Sequence, residues 1–437
     1  MRKLLILIVV VVLGYFIYLF ARSVTPELQI QSNVTSIGQS TPLTIQVQAR
    51  HGIRSADAVL EQNGITYPVW TLPQSTKVAD SSWTFNVGTG SVPQLKDGKA
   101  TLKIEAVSND FRRKHASAER ELTVITHPPM VSADSDQHYL YVGMADLATF
   151  NISGTFDNAG VRVGDESYRA WPMPDGKPGY FALYAYPWNQ PPGTAPVVFA
   201  SYGGANPVTT PLVAEFPKKE QPHYTKHDLQ LDDKFIQKVV GELDPNGTGD
   251  PVERFVRINN DMRKANNKTL SDLRLKTADK FLWSQPFLRQ AGAKAEANFA
   301  DQRSYIYHGK KVDQQVHLGY DLAVTQHVGV QASNDGRVIY AAPLGIYGNC
   351  IVVDHGYGLQ TIYGHLSRID VLEGDMVKRG QVMGLSGMTG MAGGDHIHFS
   401  MQLDGVQIDP KEWWDPHWIK DHIAKRVPLP GFEAAGQ

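Results

Sequence analysis

His396-Ile397-His398-Phe399-Ser400-Met401-Gln402-Leu403 alternates strictly between polar and apolar side chains. In an extended chain successive side chains point to opposite sides, so Ile397, Phe399, Met401 and Leu403 line one face and His396 and His398 lie side by side on the other. Upstream, His317-Leu318-Gly319-Tyr320-Asp321-Leu322-Ala323-Val324 shows the same pattern: Leu318, Tyr320, Leu322 and Val324 form the apolar face, and His317 shares the opposite face with Asp321. A third segment, Thr361-Ile362-Tyr363-Gly364-His365-Leu366, aligns His365 with Tyr363 and Thr361. If the three strands lie in one sheet, four histidines and one carboxylate converge on a groove.

Taken singly, His-x-x-x-Asp is common at strand ends, and His-x-His is a somewhat stronger signal. Their occurrence with a third histidine segment in one stretch of β pattern points to metal chemistry. Zn²⁺ suits imidazole nitrogen and carboxylate oxygen, and a catalytic zinc keeps three protein ligands while leaving a position to water. Five candidate groups exceed that need by two, which leaves two histidines to move protons. The only cysteine, Cys350, excludes a disulfide framework and a thiolate zinc site. No histidine is followed by glutamate, so the His-Glu-x-x-His helix of other zinc peptidases is absent. His51, His138, His223, His308 and His422 lack this company and read as solvated or structural, and His355 reads as a turn residue.

With these motifs in hand, the segment from about Trp283 to Pro416 resembles the M23 metallopeptidases, the lysostaphin-type or LytM-type endopeptidases, whose signatures are His-x-x-x-Asp and His-x-His. The framing sequence agrees in Tyr347-Gly348-Asn349, Val353-Asp354-His355-Gly356, Tyr363-Gly364-His365-Leu366-Ser367, Gly374-Asp375-Met376-Val377-Lys378-Arg379-Gly380-Gln381 and Ser386-Gly387-Met388-Thr389-Gly390. The resemblance implies an antiparallel-β peptidase domain in which His317, Asp321 and His398 bind zinc. It leaves His396 as general base with His365 as partner, two roles that can be exchanged. It also implies peptide crosslinks of bacterial peptidoglycan as substrate, cut by a DD-endopeptidase; proteins and glycine-rich bridges are the other peptide substrates open to such an enzyme. Asp395 stands where proline is frequent and Ser400 where glutamate is common, which bears on substrate preference. The alternative is a non-catalytic LytM-type regulator that binds and activates another cell-wall hydrolase; degenerate relatives of that kind lack zinc ligands, whereas this chain keeps all five polar groups.

Working outward, 437 residues are too many for one core. Lys+Arg 42 against Asp+Glu 44 offers no electrostatic footprint for nucleic acid. The abundance of Gly, Pro, Tyr and Trp favours a mainly β, multidomain chain. Met1-Arg2-Lys3 precedes an uncharged run from Leu4 to Ala21 closed by Arg22, long enough to be an N-terminal membrane helix over 1–23, although a cleaved signal peptide is the competing reading. The positive N-terminus would then lie inside, placing the rest on the outer, periplasmic side of the bacterial cytoplasmic membrane as a single-pass protein. Short alternating runs such as Leu43–Val47, Ser82–Val87, Ala100–Ala106 and Glu121–Ile125 predict a β-sandwich-like domain over 24–127. His127-Pro128-Pro129 marks a boundary before a second β domain, 128–217, whose aromatics read as core or as a glycan-binding face. Charged, helix-favouring sequence predicts a helical connector over 218–280, which would space or cover the groove, and 281–437 is the peptidase domain. Peptidoglycan peptides, the membrane and a regulatory protein are the expected partners.

Overall fold

The alternating runs of the N-terminal third become strands in the computed structural model, which describes residues 2–432 apart from Ser32, Ala205, Lys219, Glu220 and Val324. The protein is mainly β and divides into two compact units: residues 1–131 with 152–159 and 200–208, and residues 132–151 with 160–199 and 209–437.

In the first unit a three-stranded sheet (Glu27–Ile30, Thr41–Gln48, Asp80–Val87) and a five-stranded sheet (Ser36–Ile37, His115–Val124, Gly98–Ser108, Ile53–Gln62, Ile65–Thr71) share one core of Leu43, Ile45, Leu60, Phe85, Leu102 and Ile104. Period-two burial along Thr41–Gln48 and Gly98–Ser108 is what lets each sheet give one face to that core. The N-terminal run forms a helix, Arg2–Arg22, with Leu4, Ile8, Leu13 and Phe16 exposed. Met1 and the side chains of Arg2 and Leu5 lie outside the described residues, and among those described no helix is long and apolar enough to cross a membrane. The membrane-spanning element expected over 1–23 therefore finds no support in the fold.

In the second unit, residues 145–150 pair antiparallel with 180–185, and the aromatics Phe181, Tyr184 and Tyr186 are buried, so they are core and not a ligand face. Buried polar contacts tie this β segment to the C-terminal region. Asp146 meets His138 at 2.7 Å, Arg426 Nη1 at 2.7 Å and His422 at 3.2 Å, while Arg169 Nη2 lies 2.7 Å from Asp404 Oδ1. A buried carboxylate persists only with such partners, since stranding its charge costs several kcal/mol.

The largest sheet is antiparallel and runs in the order Lys294–Ala297, Tyr320–Ala323, His396–Leu403, Leu359–Leu366, Asn349–Asp354, Gly336–Pro343 and Met376–Val377, with Val406–Ile408 added to His396–Leu403. Its strands Asn349–Asp354 and Leu359–Leu366 are buried nearly throughout, the polar Gln360, Thr361 and His365 included. A second, three-stranded sheet pairs Lys226–Leu231 parallel to Asp301–Tyr307, which pairs antiparallel with Lys310–His317.

The segment 218–280 thus begins with a strand. Lys226-His227-Asp228-Leu229-Gln230-Leu231 carries too few apolar residues to announce itself, and its pairing comes from a partner distant in sequence. Helices follow at Asp233–Leu243, capped by Asp232, at Pro251–Arg257, capped by Asp250, and at Arg263–Asp272. A π-helical turn, Ile258–Met262, joins the last two. Ile236, Val239, Phe255 and Leu270 pack into one core with Tyr305, Leu344, Ile346 and Tyr347. The helices are therefore a wall of the C-terminal domain.

Candidate metal centre

His317 ends the strand Lys310–His317, and Asp321 lies on the next strand, Tyr320–Ala323. The single strand expected from His317 to Val324 is broken at Leu318-Gly319, and Val324 lies outside the described residues. Asp321 stands directly opposite His398 in the register with His396–Leu403, and Ala323 stands opposite His396. The result is a tight donor cluster. His317 Nε2 lies 2.9 Å from Asp321 Oδ1 and 2.9 Å from His398 Nδ1, and His398 Nδ1 lies 3.3 Å from Asp321 Oδ1.

Glycine makes the break productive. A Cβ on Gly319 would lie 2.7 Å from His398 Cε1 and 2.8 Å from its Nε2, so the absent side chain is the space the imidazole fills. His317 is oriented from behind, its Nδ1–H donating to the Asn298 carbonyl at 3.1 Å, which leaves the Nε2 lone pair facing the cluster. His398 Nε2 is buried without a partner among the described residues. That ring forgoes a hydrogen bond, at a cost of about 1–3 kcal/mol, while its Nδ1 stays aimed at His317 and Asp321. Two ring nitrogens and a carboxylate oxygen meeting at one point form a donor set for a cation, and His317, Asp321 and His398 are a group able to hold a metal ion.

His365 reaches the same place by a different route from the one its spacing suggests. Period two puts it with Thr361 and Tyr363, but those side chains serve the opposite side of the sheet: Tyr363 packs on Phe399, and Thr361 bonds to His355. Gly364 and His365 together face one residue of the neighbouring strand, a β-bulge, and His365 has φ +65°. The bulge turns the ring toward His396 and His398, with centroids 4.8 and 5.8 Å away. Its Nδ1–H donates to the Thr389 carbonyl at 2.8 Å, and the Nδ1–H of His396 donates to Gly394 at 2.9 Å. Each ring thus turns its Nε2 toward the cluster, and that of His396 is 3.4 Å from Asp321 Oδ1.

The electrostatics follow from this crowding. Burial works against an ionised Asp321, but attraction to His317 and hydrogen bonds from His317, His396 and His398 outweigh it and hold the carboxyl well below its usual range. Burial, then repulsion from His396 and His398, pushes His365 well below the ordinary imidazole value, and burial pushes His398 down to about 4. His396 moves the other way: burial opposes its charge, but its hydrogen bond and attraction to Asp321 raise it.

The cluster lines a cavity of about 360 Å³ whose wall includes Phe235, Arg263 and Asn267 from the helices and Arg303 and Tyr305 from the second sheet. Arg303 is a site residue the motifs do not show. Its Nη2 donates to Asp321 Oδ2 at 2.7 Å from the strand Asp301–Tyr307, the other arm of the hairpin that ends at His317. Asp395 and Ser400 stand aside: Asp395 accepts from the His327 amide, and Ser400 is buried beside Gln407. His355 opens the turn between Asn349–Asp354 and Leu359–Leu366, and it is buried there, 2.7 Å from the Asp335 carbonyl and 2.8 Å from Thr361 Oγ1. His138 is structural, clamped between Asp134 and Asp146.

A buried His₂-carboxylate cluster with two further imidazoles, set on an antiparallel sheet at a cavity wall, defines the class as a β protein with a candidate metal site. Residues 315–410 match the model of Peptidase family M23, so the chain carries a domain of that family. Curated relatives match stretches of similar length. The DD-carboxypeptidase/endopeptidase Mpg of Neisseria meningitidis is 36% identical over 22% of this chain and 22% of its own length. The peptidoglycan DD-endopeptidase ShyA of Vibrio cholerae is 40% identical over 21% of this chain and 22% of its own. The murein hydrolase activator EnvC of Escherichia coli is 34% identical over 22% and 23%. The matches therefore span about a fifth of each protein.

Proposed function

We propose that this chain is a zinc metalloendopeptidase that hydrolyses the peptide crosslinks of bacterial peptidoglycan as a DD-endopeptidase. The observation that carries the reading is the convergence of His317 Nε2, His398 Nδ1 and Asp321 Oδ1 beside two imidazoles whose Nδ1–H groups are held by backbone carbonyls. His317, Asp321 and His398 would hold the zinc. When bound, zinc supplies a Lewis acid that polarises the scissile carbonyl and lowers the pKa of water toward about 7.

The remaining work falls to this chain's own groups. His396 Nε2, kept basic by Asp321, takes the proton of the attacking water and returns it to the leaving amine. His365, held neutral by burial and its two imidazole neighbours, sits as its partner beside the developing oxyanion. Arg303 and the helical wall screen the cavity from bulk water, which strengthens every charge interaction within it. The names of the matched Mpg and ShyA support the bond type and the substrate. The apolar run Leu4–Ala21 supports a single-pass anchor in the cytoplasmic membrane with the site on the periplasmic side.

The likeness to EnvC favours a second reading, in which the domain binds and activates another hydrolase through a protein partner. The retained donor set favours the enzyme. Incubating the full chain and zinc with purified peptidoglycan, followed by mass spectrometry of released peptides, separates the two. Release of crosslink fragments is expected; no release by this chain, together with stimulation of a second hydrolase, would give the regulator reading the field.

A further inference from the structure

We propose that Arg263 and Arg303 form a carboxylate-binding subsite in the cavity, so that the chain selects peptides bearing a free carboxylate beside the scissile bond; this rests on the peptidase reading above. The cavity lining carries two carboxylates, Asp232 and Asp321, and two guanidiniums. Both carboxylates are committed. Asp232 caps its helix by accepting the Phe235 amide at 2.7 Å, and Asp321 takes the imidazoles and one nitrogen of Arg303.

The two arginines are not so committed. Arg303 spends only Nη2, and its Nε and Nη1 have no hydrogen-bond partner among the described residues. Arg263 spends Nε and Nη2 on Asn259, at 3.2 and 2.7 Å from Oδ1, and Nη2 on Met391 Sδ at 3.4 Å. Those partners are neutral, and among the described residues no carboxylate lies within ion-pair distance of Arg263. A half-buried guanidinium with neutral partners and an open nitrogen is a cation awaiting its anion, and the planar fork of arginine matches the two oxygens of a carboxylate, the anion a peptide substrate carries.

Position adds to the argument. Arg303 touches Asp321, and Met391, which holds Arg263, lines the same cavity as Tyr347, whose ring packs on His398 with centroids 5.4 Å apart. Both forks are fixed before ligand arrives, one by Asn259 and one by Asp321, so little is lost in ordering them. Neither arginine falls within residues 315–410, so the family match does not reach them. The carboxylate could be the end of a peptide chain or a side-chain acid, and both present the same two oxygens.

The test uses the full chain and short peptides in matched pairs, one pair differing as acid or amide at the C-terminus and the other as acid or amide on a side chain flanking the cut. For the parent chain, kcat/KM should fall about 10- to 100-fold when the recognised acid becomes an amide, and the pair that responds identifies the source. In Arg263→Gln that acid-to-amide ratio should collapse toward one, and Arg263→Lys should recover part of it. The ratio is independent of how much variant is folded. Calorimetric binding of the same peptides reads it without turnover, so a chain that cleaves nothing yet prefers acids would sink the peptidase reading alone. Equal treatment of acid and amide by the parent, or a preference that survives Arg263→Gln, would overturn the subsite.

Discussion

Gly319→Ala tests whether the metal reading depends on the space behind His398. The backbone at Gly319 does not adopt a positive φ, so alanine meets no conformational penalty and the whole effect is steric. The new Cβ would lie 2.7 and 2.8 Å from ring atoms of His398 and 2.8 Å from the Phe399 carbonyl oxygen, where ordinary contact begins at 3.4 Å. The ring must therefore retreat by 3.4 less 2.7, or about 0.7 Å. It has little freedom to do so, because it is only 5% exposed and Tyr347 and His365 flank it. Retreat carries Nδ1 toward His317 and Asp321, already at 2.9 and 3.3 Å, and spoils the meeting point. Zinc affinity should drop about 10- to 100-fold, as when a ligand loses its orienting contacts. Hydrolysis at saturating zinc should drop about 100-fold, the usual consequence of misplacement near 1 Å. Competition with a chromophoric chelator measures the first and peptidoglycan release the second, with a thermal melt to show that the fold survives. A Gly319→Ala chain that binds zinc within about threefold of the parent and hydrolyses at the same rate would refute the reasoning.

The same site makes two simpler statements. Exhaustive chelation should abolish hydrolysis, and added zinc should restore it; activity that persists in metal-free protein, verified by elemental analysis, would end the zinc reading. His396→Ala and His365→Ala should each keep bound zinc while losing about 10²- to 10⁴-fold in kcat, whereas His317→Ala and His398→Ala should lose the metal itself. Far from the site, burial opposes the charge of His138 but its hydrogen bonds to Asp134 and Asp146 raise it from 6.5 to about 9. The folded chain then keeps a proton that the unfolded chain releases, so this contribution is full below pH 6.5 and about 3 kcal/mol of it is gone once the pH has passed 9. Denaturant titrations at pH 6 and pH 9.5 should show that decline for the parent; an equal decline in His138→Gln would assign it elsewhere.

What the sequence discloses depends on whether one strand or several carries the information. The alternation of His396–Leu403 is complete within eight residues and needs no partner to be seen, so its two faces are legible. The same holds for the sandwich strands Thr41–Gln48 and Gly98–Ser108. Lys226–Leu231 is a strand because Asp301–Tyr307 lies beside it, and Arg303 reaches Asp321 because its strand pairs with the one ending at His317. The first fact sits in a pairing between distant segments and leaves no local trace; the second is a hairpin turned at His308-Gly309, and what the sequence hides there is only that Arg303 reaches across to Asp321.

The remaining misreadings share a cause. Strict period two assigns each strand one face and spaces its side chains along that face, whereas a metal needs donors brought to a point. The chain reconciles these demands by breaking period at the centre itself: Leu318-Gly319 divides the expected His317 strand, and the bulge at Gly364-His365 rotates a histidine across the sheet. A non-glycine residue at φ +65° is unfavourable in isolation and persists because Thr389, His396 and His398 hold the ring where it is. Local rules fail here because the site requires it, so an irregular residue between two histidine strands is itself a pointer to chemistry. By that logic His365→Gly should relieve backbone strain even as it removes a proton carrier, and its melting temperature should stay at or above that of His365→Ala, which keeps the Cβ at the same positive φ. A clearly lower value for the glycine variant would mean that the bulge carries no strain to relieve.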